Sequence, residues 1–169
     1  MMPALANHEV KRLEVLFDYD ILDTEAEPCF DQVTELAAQI AATPIALISL
    51  VDDKRQWFKA RVGLDVCETD RSVAFCHHTI MQTEPFCVQD ARAHPLFADN
   101  PLVTAEPNIR FYYGVPLTTP ARYNIGSLCV IDRTPRLLNI RQRSCLGILA
   151  ELTMHMLQNR RIMRKSHRQ

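Results

Sequence analysis

The fold is decided by residues 44–63, which read PIALISLVDDKRQWFKARVG. Ile45–Val51 is almost continuously apolar, which is typical of a central strand buried on both faces. Asp52-Asp53 predicts a turn, and the alternation after it predicts a half-buried antiparallel strand over Arg55–Val62. The segment is therefore expected to be a β-hairpin, with Trp57 packed beneath a helix. The predicted faces of the second strand are Phe58, Ala60 and Val62 on one side, and Arg55, Trp57, Lys59 and Arg61 on the other.

Helices are predicted before and after this hairpin in the chain. Asn7–Asp20 carries an apolar stripe behind an asparagine that can cap it. A second helix is expected to begin near Pro28, whose ring suits a first turn, and to end at Thr43, because a residue before proline avoids the helical region. A short helix over Ser72–Gln82 is expected beyond the hairpin.

The last predicted helix runs from about residue 139 to 165. Asn139 and Gln142 have the spacing of a capping box, with asparagine in place of the usual serine or threonine. The apolar spacing along this helix fits either a short dimeric coiled-coil seam or packing against the sheet. The residues of that seam are Leu146, Leu149, Thr153, Met156, Arg160 and Met163.

Three more strands complete the pattern, at Phe86–Gln89, Ile109–Leu117 and Ile125–Ile131. The intervening Ala91–Asn108 contains three prolines and little periodicity, and a connection of that length is commonly a lid or a binding loop. Helices followed by antiparallel strands and a long final helix predict an α+β domain.

Composition indicates one globular domain over residues 1–169. The 169 residues are 47% hydrophobic and 23% charged, with a formal net charge of −1, which excludes disordered and low-complexity classes. No apolar run approaches the ~20 residues of a membrane helix, and no secretory signal is recognised, so a cytoplasmic location is expected. Residues 139–169 hold seven basic residues and one acid, which makes this end distinct from the acidic body.

Cysteine spacing argues against several site classes. The chain has six cysteines, none paired as C-x-x-C, which removes zinc ribbons and thioredoxin-like motifs. We expect reduced and mostly buried thiols. The chain also lacks a G-x-S-x-G elbow, a P-loop and a G-x-G-x-x-G run.

Five stretches in order resemble the GAF family, in the bacterial subgroup found beside histidine kinase and diguanylate cyclase modules. The resemblance covers about residues 8–160. It implies a central antiparallel sheet of five to six strands, with the N- and C-terminal helices on one face and a ligand pocket on the other. The stretches are 19–24, 44–64, 75–80, 90–103, and 110–117 with 126–132.

Candidate ligand-binding residues follow from these stretches. The cluster Phe75-Cys76-His77-His78 is the densest in reactive groups, and His78 matches the subgroup's F-C-x-H histidine while His77 is the freer one. Arg110 could clamp an anion with two hydrogen bonds, or could tie the loop to the sheet together with Asp90. Tyr112 and Tyr113 are neighbours on a predicted strand and point to opposite faces, so only one of them can line a pocket. The full candidate set is Phe75, Cys76, His77, His78, Asp90, Phe97, Asn100, Arg110, Tyr112 and Cys129.

No cofactor is assigned. His77 and His78 diverge by about 100° on a helix, which disfavours one shared metal ion, so no metal site is predicted. Haem ligation by one histidine is chemically reasonable but not favoured. In bilin-binding GAF domains the tetrapyrrole is attached to a cysteine in the helix before the later strand pair. The matching region of this chain, Leu102–Arg110, has no cysteine, so covalent bilin attachment is disfavoured.

The resemblance implies a small-molecule-sensing or regulatory domain in bacterial signal transduction rather than an enzyme. Pocket occupancy would change the terminal helices, through which the chain is expected to form a homodimer or to reach an effector such as a kinase or a diguanylate cyclase. One alternative is free methionine-R-sulfoxide reductase, with Cys76 and Cys87 as the thiol pair. Another is a ligand-free dimerisation or adaptor module. Membrane binding is not expected, and nucleic-acid binding by the basic end is disfavoured.

Overall fold

The computed structural model describes residues 3–168 as a six-stranded antiparallel sheet with five α-helices. The strands are β1 (Ile45–Val51), β2 (Arg55–Val62), β3 (Glu68–Asp70), β4 (Phe86–Val88), β5 (Phe111–Thr118) and β6 (Asn124–Asp132). The helices are α1 (Pro3–Asp18), α2 (Pro28–Ala41), α3 (Phe75–Thr79), α4 (Pro101–Thr104) and α5 (Ile140–His167), with 3-10 turns at Arg71–Val73 and Ala91–Ala93. The α+β architecture expected from the sequence is confirmed.

The strand order is β3-β2-β1-β6-β5-β4, which places β1 and β6 at the centre. Every residue of β1 is buried, as its continuous apolar run predicts. Leu47 lies opposite Cys129 and Ser49 opposite Ser127 in the antiparallel register of β1 and β6. These residues therefore share one face of the sheet, and that face carries the cavity described below.

The other face is covered by α1, α2 and α5, whose apolar sides form the larger core. Phe30, Val33 and Ala37 of α2 pack there. The helix begins with Pro28 in its first turn and ends at Ala41, and the next residue, Ala42, adopts the left-handed conformation (φ 55°). Such a left-handed residue directly after a helix supplies N–H groups to its last free carbonyls, which stops the helix.

A β-bulge corrects the predicted faces of β2. Ile48 pairs with Ala60 and Ser49 with Phe58, so Lys59 is an extra residue in the ladder. Ala60 therefore joins Trp57 in the helix-side core, whereas Phe58 faces the cavity side. The prediction that Phe58 and Ala60 share a face was wrong, because strict alternation cannot anticipate an inserted residue.

Lys59 is buried on the helix side of the sheet by this bulge, with no exposed side-chain surface. Its Nζ donates to the Thr24 hydroxyl at 2.9 Å and to the carboxylate of Glu27 at 2.5 Å. Arg160 of α5 also donates to Glu27, at 2.7 Å. One carboxylate therefore joins β2, the start of α2 and the last helix, and it keeps a buried ammonium paired.

The capping box at the start of α5 is confirmed, since Asn139 and Gln142 exchange side-chain-to-backbone hydrogen bonds of 2.8 and 2.9 Å. The apolar row that begins at Leu146 and Leu149 was expected either to form a dimeric coiled-coil seam or to pack against the sheet, and in the structure it packs against the sheet. Leu146, Leu149 and Thr153 are buried in that way.

The basic end of α5 folds against carboxylates of the same chain. Asp18 binds Arg161 and Lys165, and Asp20 binds Arg164 and Arg168. Between Pro3 and Arg168, no helix is both long enough and apolar enough to cross a bilayer.

The expected helix over Ser72–Gln82 is shorter and divided. Asp70 accepts a hydrogen bond from the Ser72 N–H and so caps a separate 3-10 turn, and the extended residue Ala74 separates that turn from α3. The predicted loop Ala91–Asn108 contains the second 3-10 turn and α4. α1 begins at Pro3, so Asn7 lies inside the helix and does not cap it.

Candidate functional site

A cavity of about 340 Å³ lies on the face of the sheet opposite α1, α2 and α5. Its walls are mostly apolar, and α3, α4 and the loops after β2 and β6 enclose it. A concave, largely apolar site with a few polar groups is the usual form of a small-molecule site. The lining residues are Leu47, Gln56, Phe58, Gly63, Leu64, Asp65, Val66, Thr69, Phe75, Cys76, Leu102, Glu106, Pro107, Ile109, Tyr112, Ile131 and Arg133.

Gly63 shapes one edge of the cavity. It follows β2 with φ of +81°, and a Cβ on it would lie 2.2 Å from the carbonyl oxygen of Pro44. Only glycine tolerates this turn and this close approach. The bend directs residues 64–66 along the cavity wall.

A buried polar network forms the floor of the cavity. The hydroxyl of Tyr112 lies 3.2 Å from the sulfur of Cys76 and 2.6 Å from the hydroxyl of Thr79. Ser127 lies 3.3 Å from the same sulfur and 3.2 Å from the Tyr112 hydroxyl. Because Tyr112 donates to Cys76, its oxygen accepts from Thr79, and each hydroxyl has a partner as burial requires.

The Cys76 and Cys129 sulfurs are 3.9 Å apart in this floor. Burial raises the pKa of Cys76, but hydrogen bonds with Cys129, Ser127 and Tyr112 lower it more strongly, so that the pKa falls to about 7. Burial raises the pKa of Cys129, and the neighbouring Cys76 raises it more. Burial likewise raises the pKa of Tyr112, so this phenol stays protonated and able to donate.

Three of the ten candidate residues line the cavity, namely Phe75, Cys76 and Tyr112. Cys129 lies beneath Cys76. Phe97 stacks on Phe75 with ring centroids 4.0 Å apart, and His78 contacts Phe97 edge-on at 5.0 Å. Phe97 and His78 therefore support the wall from behind.

His77 is held rather than free, because Arg71 binds its ring. Its Nδ1 accepts a hydrogen bond of 3.1 Å from Arg71 Nε. Arg71 also donates to Glu9 of α1 at 2.5 Å, and Glu9 pairs with the buried guanidinium of Arg12 at 2.8 Å. Burial raises the pKa of Glu9, but the two arginines lower it more strongly, to about 2. An ionic network therefore connects the cavity helix α3 to α1.

The remaining three candidates hold the loop rather than line the cavity. Arg110 donates to the backbone carbonyls of Val103 at 2.8 Å and Ile109 at 3.1 Å. Asn100 caps α4 and donates to the Val73 carbonyl at 3.0 Å. Asp90 caps the second 3-10 turn and pairs with Arg92. Of the two roles considered for Arg110, these bonds agree with tying the loop to the sheet rather than with clamping an anion.

Five polar lining residues were missed. Gln56 could have been found, since it lies two residues from Phe58 on the same strand face. Its amide accepts from Ser49 at 3.0 Å and donates to Thr69 at 2.6 Å. Thr69 lies opposite Gln56 in the β2–β3 register. The remaining three lie in loops that only the tertiary fold brings together, and no local pattern predicts them. They are Asp65, Glu106 and Arg133.

Cys76 and Cys87 do not form a pair. Cys87 lies opposite Tyr113 in the β4–β5 register, and Tyr113 belongs to the helix-side core. Cys76 belongs to the cavity-side core. The proposed thiol pair is therefore divided by the sheet. Within residues 3–168, no group of three or more histidine, cysteine or acidic residues is arranged to hold a metal ion.

A comparison with curated proteins finds a relative that is similar in sequence over nearly the whole chain. A curated relative, named as a cyclic di-GMP phosphodiesterase of Pseudomonas aeruginosa, is 41% identical over 167 residues. The match covers 98% of this chain and 27% of the relative, so the chain spans about a quarter of that protein's length.

Two solved structures illustrate the fold similarity. The GAF domain of a phosphoenolpyruvate-protein phosphotransferase from Acinetobacter superposes with a TM-score of 0.66 at 17% identity, covering 93% of this chain and 97% of that one. The free methionine-R-sulfoxide reductase of Neisseria meningitidis, solved with its substrate, gives 0.65 at 17% identity, covering 92% and 93%.

The family assignment rests on sequence and structure together. The GAF domain family model matches residues 25–156, most of the chain. The matched segment includes the central hairpin, α3 with the cavity floor, and most of α5. The chain belongs to the GAF domain family.

Proposed function

We propose that this GAF domain senses a small molecule in its cavity and transmits occupancy to its terminal helices, within a larger cytoplasmic bacterial signalling protein. The observation that carries the proposal is the cavity of about 340 Å³ on the face opposite those helices. A volume of this order is typical of small-ligand sites.

The lining indicates a ligand with an apolar body and a polar end. Leu47, Phe58 and Ile131 offer apolar contact, whereas Asp65 and Arg133 supply opposite charges. Gln56 and Thr69 are hydrogen-bonded to each other, so a ligand that exchanged one of these bonds would also perturb β2 and β3. Polar groups of this kind fix orientation and specificity.

The coupling route we propose runs through Arg71. This residue follows β3 directly and contacts His77 of α3 and Glu9 of α1. It also donates to the Asp52 carbonyl in the β1–β2 turn at 3.0 Å. A ligand that moved β3 or α3 would therefore change the support of α1, and only such a difference between bound and free states can shift an equilibrium.

We further propose a homodimer through the terminal helices, using an exposed row on α5 rather than the buried row. Ile148, Leu152 and Ile162 are 55%, 49% and 59% exposed, and Leu36 of α2 is 46% exposed. The three α5 residues and Cys145 fit a heptad pattern in which the exposed His155 and Asn159 take the two intervening positions. The Pseudomonas relative is named as a cyclic di-GMP phosphodiesterase. We therefore propose that the domain regulates a cyclic di-GMP enzyme module, with a kinase module as the alternative.

The ligand proposal is tested by native mass spectrometry and an absorbance scan of the purified chain. We expect a retained small molecule, which Leu102→Trp should exclude because the indole fills the cavity. Leu96→Trp is the matched control, since Leu96 is 60% exposed and does not line the cavity. A ligand that remained on Leu102→Trp would contradict the site. Dimers that bound nothing would favour the adaptor role.

The dimer is tested separately by light scattering. Ile148→Asp should yield monomers because it charges the proposed row. Leu137→Asp is the control, since Leu137 is 68% exposed and precedes α5. Dimers that survive Ile148→Asp, or monomers from the unmodified chain, would contradict this interface.

A reductase is the second candidate, because a thiol of lowered pKa lines the cavity. Cys87 cannot resolve an intermediate on Cys76 from the other face of the sheet, so Cys129 would have to do so. NADPH-linked turnover of free methionine-R-sulfoxide tests this candidate. Absence of turnover would exclude it, and turnover that survives Cys76→Ser would place the nucleophile elsewhere.

A further inference from the structure

Two thiols meet at the cavity floor from distant parts of the chain. Cys76 belongs to α3 and Cys129 to β6, and their sulfurs are 3.9 Å apart. A disulfide bond is about 2.05 Å long, so rotation of the side chains with a small backbone shift would join them. Both are buried free cysteines.

The surroundings distinguish the two sulfurs. Cys76 receives hydrogen bonds from Tyr112 and Ser127, which stabilise a thiolate, and its pKa is about 7. Cys129 lies deeper, and burial raises its pKa. This asymmetry separates an attacking thiolate from a resolving thiol.

Access is the second requirement, and only one of the two sulfurs belongs to the cavity lining. Cys76 lines the cavity, whereas Cys129 does not. A small oxidant in the cavity would therefore meet Cys76 first. A cavity of about 340 Å³ has ample room for a small peroxide.

We propose that Cys76 and Cys129 form a dithiol site that reduces a hydroperoxide admitted by the cavity and closes to an intramolecular disulfide. The Cys76 thiolate attacks one peroxide oxygen, the O–O bond breaks, and Cys76 becomes a sulfenic acid. The departing alkoxide or hydroxide takes up the proton that Cys76 released.

The second step forms the disulfide. The sulfur of Cys129 attacks that of Cys76, the S–O bond breaks, and the hydroxyl leaves as water with the proton of Cys129. The two thiols lose two electrons and two protons together. The hydroperoxide becomes one alcohol (or water) and one further water, so atoms and electrons balance.

The test treats the full chain carrying Cys87→Ser with equimolar hydrogen peroxide, followed by alkylation, trypsin and mass spectrometry. The Cys87→Ser change is needed because Cys76 and Cys87 share the tryptic peptide 72–92. We expect a cross-link between peptides 72–92 and 123–133 that dithiothreitol reverses. Its formation should be about tenfold faster than oxidation of the exposed Cys67 in peptide 62–71, because hydrogen bonds from Tyr112 and Ser127 stabilise the Cys76 thiolate and Cys129 lies 3.9 Å away to close the disulfide.

Two variants assign the roles. Cys129→Ser should stop the reaction at a Cys76 sulfenic acid that dimedone traps, and Cys76→Ser should leave Cys129 a thiol. The proposal is overturned if Cys67 oxidises while Cys76 and Cys129 stay reduced. It is also overturned if methionine-R-sulfoxide, but not peroxide, yields the cross-link. The outcome is independent of the retained-ligand assay, since a chain that bound no ligand could still form the disulfide.

Discussion

The two faces of the sheet differ in what fills them. The face under α1, α2 and α5 is packed with apolar side chains, and its buried charges, Arg12 and Lys59, are paired. The opposite face has a smaller apolar cluster, a cavity and a floor of hydroxyls and thiols. A close-packed core supplies stability, whereas a cavity forgoes contacts in return for room for a ligand. Stability and chemistry are therefore assigned to opposite sides of the same strands.

The largest expected effect tests this division with two phenylalanines. Phe30 on the helix side and Phe58 on the cavity side are both nearly fully buried. We expect Phe30→Ala to lower the free energy of unfolding by about 3–5 kcal/mol. Phe58→Ala should cost about half as much, because one side of its ring already faces the cavity. Urea denaturation of both variants measures the difference, and equal losses would remove the distinction between the faces.

The next effect concerns the ionic network of Glu9, Arg12 and Arg71, which connects α1 on the helix side of the sheet to α3 on the cavity side. Glu9→Gln leaves the guanidinium of Arg12, which is 2% exposed, without its carboxylate. We expect a loss of about 2–3 kcal/mol. Glu14→Gln, on the exposed side of the same helix, should stay within about 0.5 kcal/mol. A Glu9→Gln protein as stable as the unmodified chain would show that the network does not hold α1.

Acid titration isolates the charge of the same residue. The pKa of Glu9 is about 2 in the folded chain against an ordinary 4.5. Because the unfolded chain takes up the proton first, the stabilisation is complete above pH 4.5 and is lost as the pH falls towards 2. The stability difference between the unmodified chain and Glu9→Gln should therefore shrink across that interval. A difference that is constant with pH would exclude a charge effect.

The smallest effect is expected where the helix ends meet solvent. Asp18 pairs with Arg161 and Lys165, but all three side chains are partly exposed. Asp18→Asn should lower stability by no more than about 1 kcal/mol, and added salt should reduce even that. Thermal melts at low and high ionic strength measure it. A larger, salt-insensitive loss would mean that this end contributes to the packed face.

Local patterns predicted the helices and strands better than the contacts between them. β1 and β2 begin and end where apolar continuity and alternation place them, and the capping box at Asn139 starts α5 as expected. These features depend on residues adjacent in sequence. The inserted Lys59 could not be seen, because a bulge is defined only by the partner strand.

The candidate site was harder to predict for the same reason. Phe75, Cys76 and Tyr112 lie on regular elements and were found to line the cavity. Arg110 was placed in the right region, but the backbone carbonyls of its own loop occupy its guanidinium. Glu106 and Arg133 reach the cavity from separate loops. Loop conformation depends on long-range packing, which no sequence periodicity encodes.

The pairing of the last helix with Asp18, Asp20 and Glu27 changes how its charge acts at a distance. Each basic residue from Arg160 to Arg168 contacts one of these three carboxylates. The three carboxylates balance at most three of these five positive charges, so a distant polyanion meets a reduced positive charge, with the balanced pairs acting as dipoles. The field of a dipole decays faster with distance than that of a single charge, and salt shortens its reach further. Long-range attraction is therefore weaker than the count of basic residues suggests, and the shape and register of the helix surface gain weight in the choice of a partner.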